Sequence, residues 1–491
     1  MKFEKKVEKR VNDHLNQFVK NPYEKRRMTF PLWSKIAIPS GALALTAGIV
    51  LSVFAFNPQG EKDLNVLIKP NVVKVVDAKE ARHAMTLKSY ESYMAFARKF
   101  VPSIMAENTN EEETSMSVSI PDAYLAIAIA GIISDAKALT EVLSYLELSS
   151  EAELKEAVSD IIKSLCVLTK DDDNKLDGGF NTNSIWFDPK QVALLKDKDN
   201  QLYQDLADVF GATIFMEPLT TKTAMKYLTE NAVEGIPVPD VTLDDYNPSP
   251  ASIMSSYTCV SCFSGTLAKM MQSEYESGEH KMIYHALQED KLVDYIHKYY
   301  DSGYVYEGEG FHGAEMGIGE SQARFFLPDS SDATATSILE DVLADKYDYV
   351  ECETVNGEKR PQEYKLDIKA PYFDMNNKLD FSKGFKKAFP NMTDNGFASR
   401  LVKPKNADKL FVTGLGQFSK VRFDYQGFFS SSVTVISAST SAPMPPDNPV
   451  YHLSLDHPYV FEFKDYINMQ GGGFKNVPMV VGRIVDPVYE G

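Results

Sequence analysis

The chain contains little cysteine: four of its 491 residues are Cys. This excludes a disulfide framework, because a chain of this length can build a large core without one. Cys259 and Cys262 have CxxC spacing, but no second CxxC and no nearby His completes a tetrahedral zinc set. Their neighbours are typical of a strand, in which residues three apart point to opposite faces. We expect two structural thiols.

The motifs of common enzyme chemistry are also missing. The sequence has no GxSxG nucleophile elbow, no HExxH zinc helix and no GxxxxGK[ST] phosphate loop. His312 and Glu315 lie in a hairpin-like context that favours a solvent-exposed pair over metal ligands. We therefore expect no enzyme activity, no metal and no cofactor.

Positive charge is scarce after residue 35. The first 35 residues hold ten Lys and Arg against four Asp and Glu, a balance of +6, which leaves −24 for the rest of a chain whose net charge is −18. An acidic body repels phosphate backbones, so nucleic acid is excluded as a partner. The two parts of the chain are expected to face different surroundings.

A long uncharged run lies near the N-terminus. Residues 36–56 read IAIPSGALALTAGIVLSVFAF, and as a helix these 21 residues match the roughly 30 Å hydrocarbon layer. A cleaved signal peptide has a shorter apolar core close to the N-terminus, whereas 35 residues precede this run. Basic residues before it and acidic residues after it orient the N-terminus toward the cytoplasm. We predict a basic cytoplasmic tail (1–35), a transmembrane helix (36–56), a linker (57–74) and an extracellular domain (75–491).

The extracellular part has a mixed α and β pattern. Residues 71–165 are mostly helical in pattern, with a capping box at Ser150–Glu153, and strand patterns dominate late in the chain. The stretch SSSVTVISASTSAP, residues 430–443, has no charge and lies between two strand patterns, KVRFDY and YVFEF. A long loop between strands is usually functional or disordered.

Two segments near the C-terminus, LSLDHPYVFEFKD and MVVGRIVDP, contain Asp456, His457, Pro458, Tyr459, Gly482, Arg483, Asp486 and Pro487. They resemble the signature of the serpin family of protease inhibitors. In that signature an Asp-His-Pro-Phe-like strand start is followed by a hairpin and a Gly-Arg-Val-x-Asp-Pro ending. Similar likenesses occur in ARFFLPD, in YKLDIKAPYFDM followed by GFKKAF, in AMKYLTENAVEGIP and in IPDAYLAIAIAGIISDAKALTEVLSYL. The resemblance is collinear over roughly 75–491.

The resemblance implies an α+β serpin fold, with three β-sheets, about eight or nine helices and an exposed reactive-centre loop. In inhibitory serpins a protease cuts this loop and forms an acyl-enzyme, and the cut loop then inserts as a new strand into the central sheet. The metastable native state supplies the driving force. The chain is thus expected to be a surface-tethered inhibitor of a serine or cysteine protease, and monomeric.

The same resemblance assigns the hinge of the loop. Its glycine corresponds to Gly427, and the residues that follow are Phe428, Phe429, Ser430, Ser431, Ser432, Val433 and Thr434. Small and β-branched residues are compatible with insertion as a strand. Phe428 departs from the family pattern, because the first residue after the glycine points inward and an aromatic there is expected to obstruct insertion by overpacking. The usual Glu-Glu pair is replaced by Tyr425 and Gln426.

Serpins also place a polar set of Ser, Asn and His beneath the opening of the sheet. The matching positions here are Ile120, Ala123, Cys259 and Gln417, so most of that set is missing. An alternative polar pairing and a sheet that does not open both remain possible. The second case leads to the alternative function, a non-inhibitory surface protein for binding or adhesion.

The scissile bond lies in the candidate region Thr440, Ser441, Ala442, Pro443 and Met444. Counting from the hinge favours Ser441–Ala442, whereas matching the Pro-rich side favours 442–444. None of these residues is basic, which favours an elastase-like or subtilisin-like extracellular protease as the partner. Separately, Asn391-Met-Thr393 matches a glycosylation sequon.

Overall fold

The structure, a computed structural model, describes residues 63–70, 76–77, 83–109, 113–170, 176–195, 201–232, 238–243, 248–262, 265–278, 280–318, 321–330, 334–350, 352–355, 358–407, 409–430 and 449–489. The predicted cytoplasmic tail and transmembrane segment (1–35 and 36–56) lie outside these residues, as do positions 431–434 and 440–444 of the predicted loop. No helix within the described part is long and apolar enough to span a membrane.

Nine α-helices are present in the described residues: α1 (Leu87–Glu107), α2 (Ile120–Ile133), α3 (Ala136–Tyr145), α4 (Glu151–Leu165), α5 (Gln201–Asp208), α6 (Thr221–Asn231), α7 (Gly265–Ser277), α8 (Ala335–Leu343) and α9 (Ser382–Ala388). A π-helical turn follows at Met392–Gly396. The predicted capping box begins α4, where the Ser150 hydroxyl accepts a hydrogen bond from the Glu153 N–H.

Twenty-four strands are described. The first twelve are β1 (Val66–Ile68), β2 (Val76–Asp77), β3 (Met116–Ser119), β4 (Leu168–Lys170), β5 (Leu176–Phe187), β6 (Val192–Leu194), β7 (Ala212–Phe215), β8 (Ala251–Cys262), β9 (Lys281–His285), β10 (Asp290–Gly303), β11 (Val305–Gly308) and β12 (Phe311–Ile318). The others are β13 (Ser321–Pro328), β14 (Tyr347–Tyr349), β15 (Cys352–Val355), β16 (Glu358–Pro361), β17 (Tyr364–Pro371), β18 (Phe373–Asp380), β19 (Val402–Pro404), β20 (Gly416–Asp424), β21 (Gly427–Ser430), β22 (Val450–Ser454), β23 (Tyr459–Asn468) and β24 (Phe474–Ile484).

Three large sheets organise these strands. The central sheet has the order β1-β7-β5-β8-β21-β20-β18, and β2 and β4 extend it beside β5. A four-stranded sheet, called sheet C here, has the order β22-β17-β10-β9. The third has the order β14-β11-β12-β13-β23-β24-β3, and two short two-stranded sheets complete the set. Helix α2 is apolar on nearly all sides and buried except at Asp122 and Ala126, as expected for a helix beneath a sheet.

The folded unit begins upstream of the boundary expected at residue 75. Strand β1 lies within the predicted linker and pairs antiparallel with β7, at the edge of the central sheet. Leu64 packs beside Trp186, Phe215 and Tyr227. The compact unit accordingly starts at Leu64. Three residues form too short a pattern to distinguish a strand from a linker in the sequence.

The two thiols of the CxxC pair lie in β8 as expected, and they point to opposite faces of the sheet. Cys259 packs in the core beneath the sheet, whereas Cys262 packs with Leu168 and Phe180. The described residues contain no group of His, Cys, Asp and Glu arranged to hold a metal ion.

The prediction that His312 and Glu315 form a solvent-exposed pair is wrong for Glu315. His312 pairs with Asp329 at 2.7 Å, while Glu315 is largely buried and bonds to Tyr306 and Arg324. The two side chains point to opposite faces of the strand because they are three residues apart.

The predicted sequon is structurally engaged. The Asn391 side-chain amide donates to the Glu141 carboxylate at 2.7 Å, and its backbone N–H donates to the same group. The nitrogen that would carry a glycan therefore already has a partner in the folded chain.

Candidate functional site at the opening of the central sheet

The predicted hinge forms a hairpin inside the central sheet. Strand β20 ends at Asp424, Tyr425 and Gln426 make the turn, and β21 returns antiparallel from Gly427. β21 also pairs antiparallel with β8, so its four residues lie between β8 and β20. The first four hinge residues are thus a strand of the sheet.

A buried carboxylate fixes the hinge turn. Asp424 is fully buried, and its Oδ1 accepts a hydrogen bond from the Gln426 N–H at 2.7 Å, the bond of an Asx turn. Its Oδ2 accepts from the Arg422 guanidinium at 2.5 Å and from the Tyr489 hydroxyl at 3.1 Å. Burial raises the pKa of Asp424, although Arg422 and these hydrogen bonds oppose the rise.

Aromatic rings cover the same turn in place of the acidic pair found in the family. Tyr425 stands 5.7 Å from Tyr275 and 6.3 Å from Tyr372, measured between ring centroids. Tyr489 joins this group at 5.7 Å from Tyr275. The turn is held by packing and by one buried acid, Asp424.

Gly427 is required by close approach of the backbone. Its φ is +146°, a conformation that L side chains rarely adopt. A Cβ at this position would lie 2.3 Å from the Ser261 carbonyl oxygen and 2.8 Å from the Cys262 Cα. Because both contacts are with backbone, the chain cannot relax by rotating a side chain.

The side chain of Phe428 is already inside the core. It is 1% exposed, and its ring stacks on that of Phe463 with centroids 4.2 Å apart and planes 9° apart. Phe429 points to the opposite face, where it packs with Val260 and Cys262. β23 supplies an aromatic surface for Phe428 in this arrangement, and the effect of Phe428 on insertion stays a prediction.

Beyond the Ser430 end of β21, strands β8 and β20 of the central sheet are separated in the described residues. In the described residues, β8 pairs with β21 only over Cys259–Cys262, so Ala251–Thr258 pair on one side only, with β5. β20 likewise pairs with β21 only over Val421–Asp424, and Gly416–Lys420 pair only with β18. Two strand edges therefore face each other across a cleft, and a cavity of about 650 Å³ lies between them.

The base of this cleft is polar. The Gln417 side chain accepts from the Ser119 N–H at 3.1 Å and donates to the Ser119 carbonyl at 2.7 Å and to Asp122 Oδ1 at 3.2 Å. Nearby, the Ser117 hydroxyl lies 3.4 Å from that of Ser419 and accepts from the Asn377 amide at 3.0 Å. These six residues, called the base set here, connect β18 and β20 to β3 and the start of α2.

The base set is an alternative polar pairing in place of the polar set that the sequence lacks. Of the four positions matched to the family, Gln417 belongs to it, whereas Ile120, Ala123 and Cys259 are buried in apolar surroundings. The polar groups are supplied instead from positions one to three residues away on β3 and α2, and from β18. No local pattern in the sequence predicts this polar set, because its members come from separate elements: Ser117, Ser119, Asp122, Asn377 and Ser419.

Asp122 is the ionisable group of the base set. It lies in the first turn of α2 and is partly exposed to the cavity that it lines. Burial raises its pKa to about 7, against hydrogen bonds from Ser119, from backbone N–H groups and from Gln417. Two other titratable groups, Tyr93 and Cys166, interact with it electrostatically. The carboxyl thus changes charge near neutral pH.

Comparison with known proteins shows the fold. No protein-family profile matches the chain, and no curated protein resembles it in sequence. Solved structures do match, at 14% identity. The thermophilic serpin tengpin in its native state gives a TM-score of 0.57 over 87% of this chain, and in its latent state 0.56 over 83%. The native stressed conformation of AtSerpin1 from Arabidopsis gives 0.58 over 83%. All three are covered over their full length.

The chain therefore has the serpin fold, as the resemblance implied. β20 leads into the predicted hinge, and β22 to β24 follow it in the chain. The remaining loop positions, 431–434 and 440–444, lie outside the described residues.

The close contact at Gly427 gives a first prediction. Gly427→Ala should displace β21 from the sheet and lower the stability of the intact chain by about 2–4 kcal/mol, because the new Cβ meets backbone on β8. Thermal unfolding of the full-length chain in detergent and hydrogen exchange of residues 427–430 measure the effect.

Gly310→Ala is the matched control. Gly310 also has a positive φ, +77°, but nothing lies within 4 Å of a Cβ placed there. Equal losses in the two variants would show that backbone strain alone, and not the contact with β8, makes Gly427 necessary.

Asp122 gives a second prediction. Its folded-state pKa lies above the ordinary value, so the folded chain binds this proton more tightly than the unfolded chain, and stability falls as pH rises from about 4 to 7. Asp122→Asn should remove this part of the pH dependence, worth on the order of 2–4 kcal/mol. Thermal unfolding at pH 5 and pH 8 checks this, with Asp208→Asn at an exposed position of α5 as the control. A wild-type pH slope in Asp122→Asn would contradict the assignment.

Proposed function

We propose that the chain is a surface-tethered serpin that inhibits an extracellular serine or cysteine protease by inserting its cut reactive-centre loop into the central sheet. The observation that carries this proposal is the cleft below β21. Within the described part of the chain, two unpaired strand edges face one another there, and β21 lies between them at one end. Buried backbone groups without partners are unfavourable, so a strand that fills the cleft is stabilised on both sides.

The length of the loop fits the cleft. Cleavage at Ser441–Ala442 would leave eleven residues after Ser430, enough to extend β21 past the eight residues of β8 at 251–258 that pair on one side only. With each net hydrogen bond contributing about 1 kcal/mol, such a strand gains on the order of 10 kcal/mol. Before the cost of ordering the loop is subtracted, this gain is comparable to the stability of an ordinary domain.

The chemistry of the hinge also fits the base set. Phe428 points inward, and β21 pairs Phe428 with Phe423 and Ser430 with Val421 on β20. Continued in the same register, insertion would place Ser432 opposite Ser419 and Thr434 opposite Gln417, on the inward face. Hydroxyl groups would then meet the polar base of the cleft, which an apolar strand could not satisfy.

These features favour inhibition over the non-inhibitory alternative. That alternative depended on Phe428 as an obstacle and on the missing polar set. Phe428 is stacked within the sheet, and the base set supplies polar pairing at other positions. The protease would provide the reacting nucleophile, and this chain would act as bait and trap without being an enzyme.

The tether is proposed from the sequence alone, through residues 36–56. Strand β1 pairs Val66 with Phe215, and through β5 this end of the sheet corresponds to Ser252, at the start of β8. The hinge lies at Cys262, the other end of β8, roughly 33 Å away at the rise of a strand. The described part of the chain thus enters the central sheet at the end opposite the hinge.

Loop insertion is tested by nicking the full-length chain in detergent with elastase and with subtilisin. The uncharged loop should be cut within 440–444 and the melting temperature should rise by about 10 °C or more, because the cut strand adds to the sheet. A covalent, SDS-resistant adduct should form with at least one of the two proteases.

Thr434→Arg should convert the chain into a plain substrate, because a charge facing the base set cannot be buried unpaired. It should be cut at the same bond without a rise in melting temperature. Pro446→Arg, beyond the inserted residues, should behave as wild type. Cleavage of the wild-type chain with no rise and no adduct would refute inhibition by insertion.

The tether is tested by carbonate extraction of membranes from cells that express the chain. The wild-type chain should stay in the membrane pellet, and Leu45→Arg with Val50→Arg should release it, since each Arg at the centre of a span costs about 2.5–3.5 kcal/mol. Gln59→Arg, outside the span, is the control. Release of the wild-type chain would contradict the tether.

A further inference from the structure

Strand β22 is the anchor at the C-terminal end of the loop. It runs parallel to β17 over five residue pairs, from Lys365 with Val450 to Lys369 with Ser454. Within the described part of the chain it has no other strand neighbour, so it is an edge strand of sheet C. Parallel pairing over five residues is a weak attachment by itself.

One carboxylate joins three strands of this sheet. Asp367, on β17, lies with Oδ1 2.6 Å from His297 Nε2 on β10 and with Oδ2 2.6 Å from His452 Nδ1 on β22. The Asp367 side chain is 9% exposed, whereas that of His452 is 71% exposed. Both imidazoles donate to the same nearly buried acid, and one of them belongs to the strand that follows the loop.

The surroundings favour an ionised acceptor. Burial raises the pKa of Asp367, but hydrogen bonds and positive charge from His297 and His452 outweigh burial and hold the pKa below its ordinary value. Hydrogen bonds to an ionised acid are stronger than neutral ones. The contact between His452 and Asp367 is therefore a specific attachment of β22 to the interior of sheet C.

We propose that Asp367 is a positioning residue, which holds β22 in sheet C through His452 and so opposes insertion of the uncut loop into the cleft. The loop is fixed at one end by β21 in the central sheet and at the other by β22. Nineteen residues lie between Ser430 and Val450, and each residue that enters the cleft leaves one fewer to reach β22, a limit that release of β22 removes. Release of β22 is thus the step that Asp367 opposes.

The consequence for the uncut chain rests on the proposed function, because it assumes that the loop can fill the cleft. Tengpin has been solved in both a native and a latent state, so one serpin sequence can occupy two arrangements. The hold of Asp367 on β22 does not depend on that assumption and is measured separately.

The direct measurement is hydrogen exchange of residues 450–454 in the full-length chain in detergent. Asp367→Asn and His452→Ala should each speed exchange in β22 about fivefold, because each removes one of the hydrogen bonds to the shared acid. His452→Asn keeps a donor at the place of Nδ1 and should remain close to wild type. Such rescue separates hydrogen bonding from loss of side-chain packing.

His83→Ala is the control for general destabilisation. His83 also pairs with a buried acid, Asp160, at 3.1 Å, but near the start of α1 and not in sheet C. Unchanged β22 exchange in Asp367→Asn and His452→Ala would overturn the proposal, and so would equal acceleration in His83→Ala.

A second readout connects the anchor to insertion. On incubation of intact chains, Asp367→Asn and His452→Ala should lose their native melting transition to a higher one about fivefold faster than wild type, with mass spectrometry confirming an uncut loop. If β22 exchanges faster but nicked wild-type chain shows no rise in melting temperature, the anchor stands and insertion fails. If nicking raises the melting temperature but β22 exchange is unchanged, insertion stands and the anchor fails.

Discussion

The proposed insertion depends on two strand edges of the central sheet that face each other without pairing in the described residues. β21 lies between β8 and β20, but within the described residues it covers only Cys259–Cys262 and Val421–Asp424, and beyond it each strand pairs on one side only. An unpaired edge is usually covered or shortened in natural proteins, because it invites another strand. Here two such edges line one cleft. The uncharged segment 430–443 begins at the hinge end of this cleft, and we propose that it fills the cleft as a strand.

The hinge shows how a departure from the family pattern is accommodated. A small residue is expected after the hinge glycine, and Phe428 is large. The structure places its ring against Phe463, so the position is a slot for an aromatic ring. Tyr425 and Gln426 stand where the usual acidic pair is expected, and the buried Asp424 just before them fixes the turn. Both solutions use residues close to the expected positions but different chemistry.

Much of the fold could be predicted from the sequence. The two C-terminal signature segments become β23 and β24, and GFKKAF becomes part of α9, because local patterns there match collinear motifs. The base set could not be predicted, since its six residues come from four elements up to about 300 positions apart. Strand β1 was hidden for a different reason: three residues carry no recognisable period. The shared acid of sheet C was equally invisible, because it joins residues 297, 367 and 452.

Filling of the cleft is tested most directly by hydrogen exchange before and after the loop is nicked. The amides of 251–258 and 416–420 line the open edges, and the account predicts that nicking protects both segments while leaving β5 and β18 unchanged. Protection of both edges together means that one strand lies between them. If the loop is cut and both edges exchange as they did in the intact chain, the cleft does not receive the loop, and the central claim is wrong.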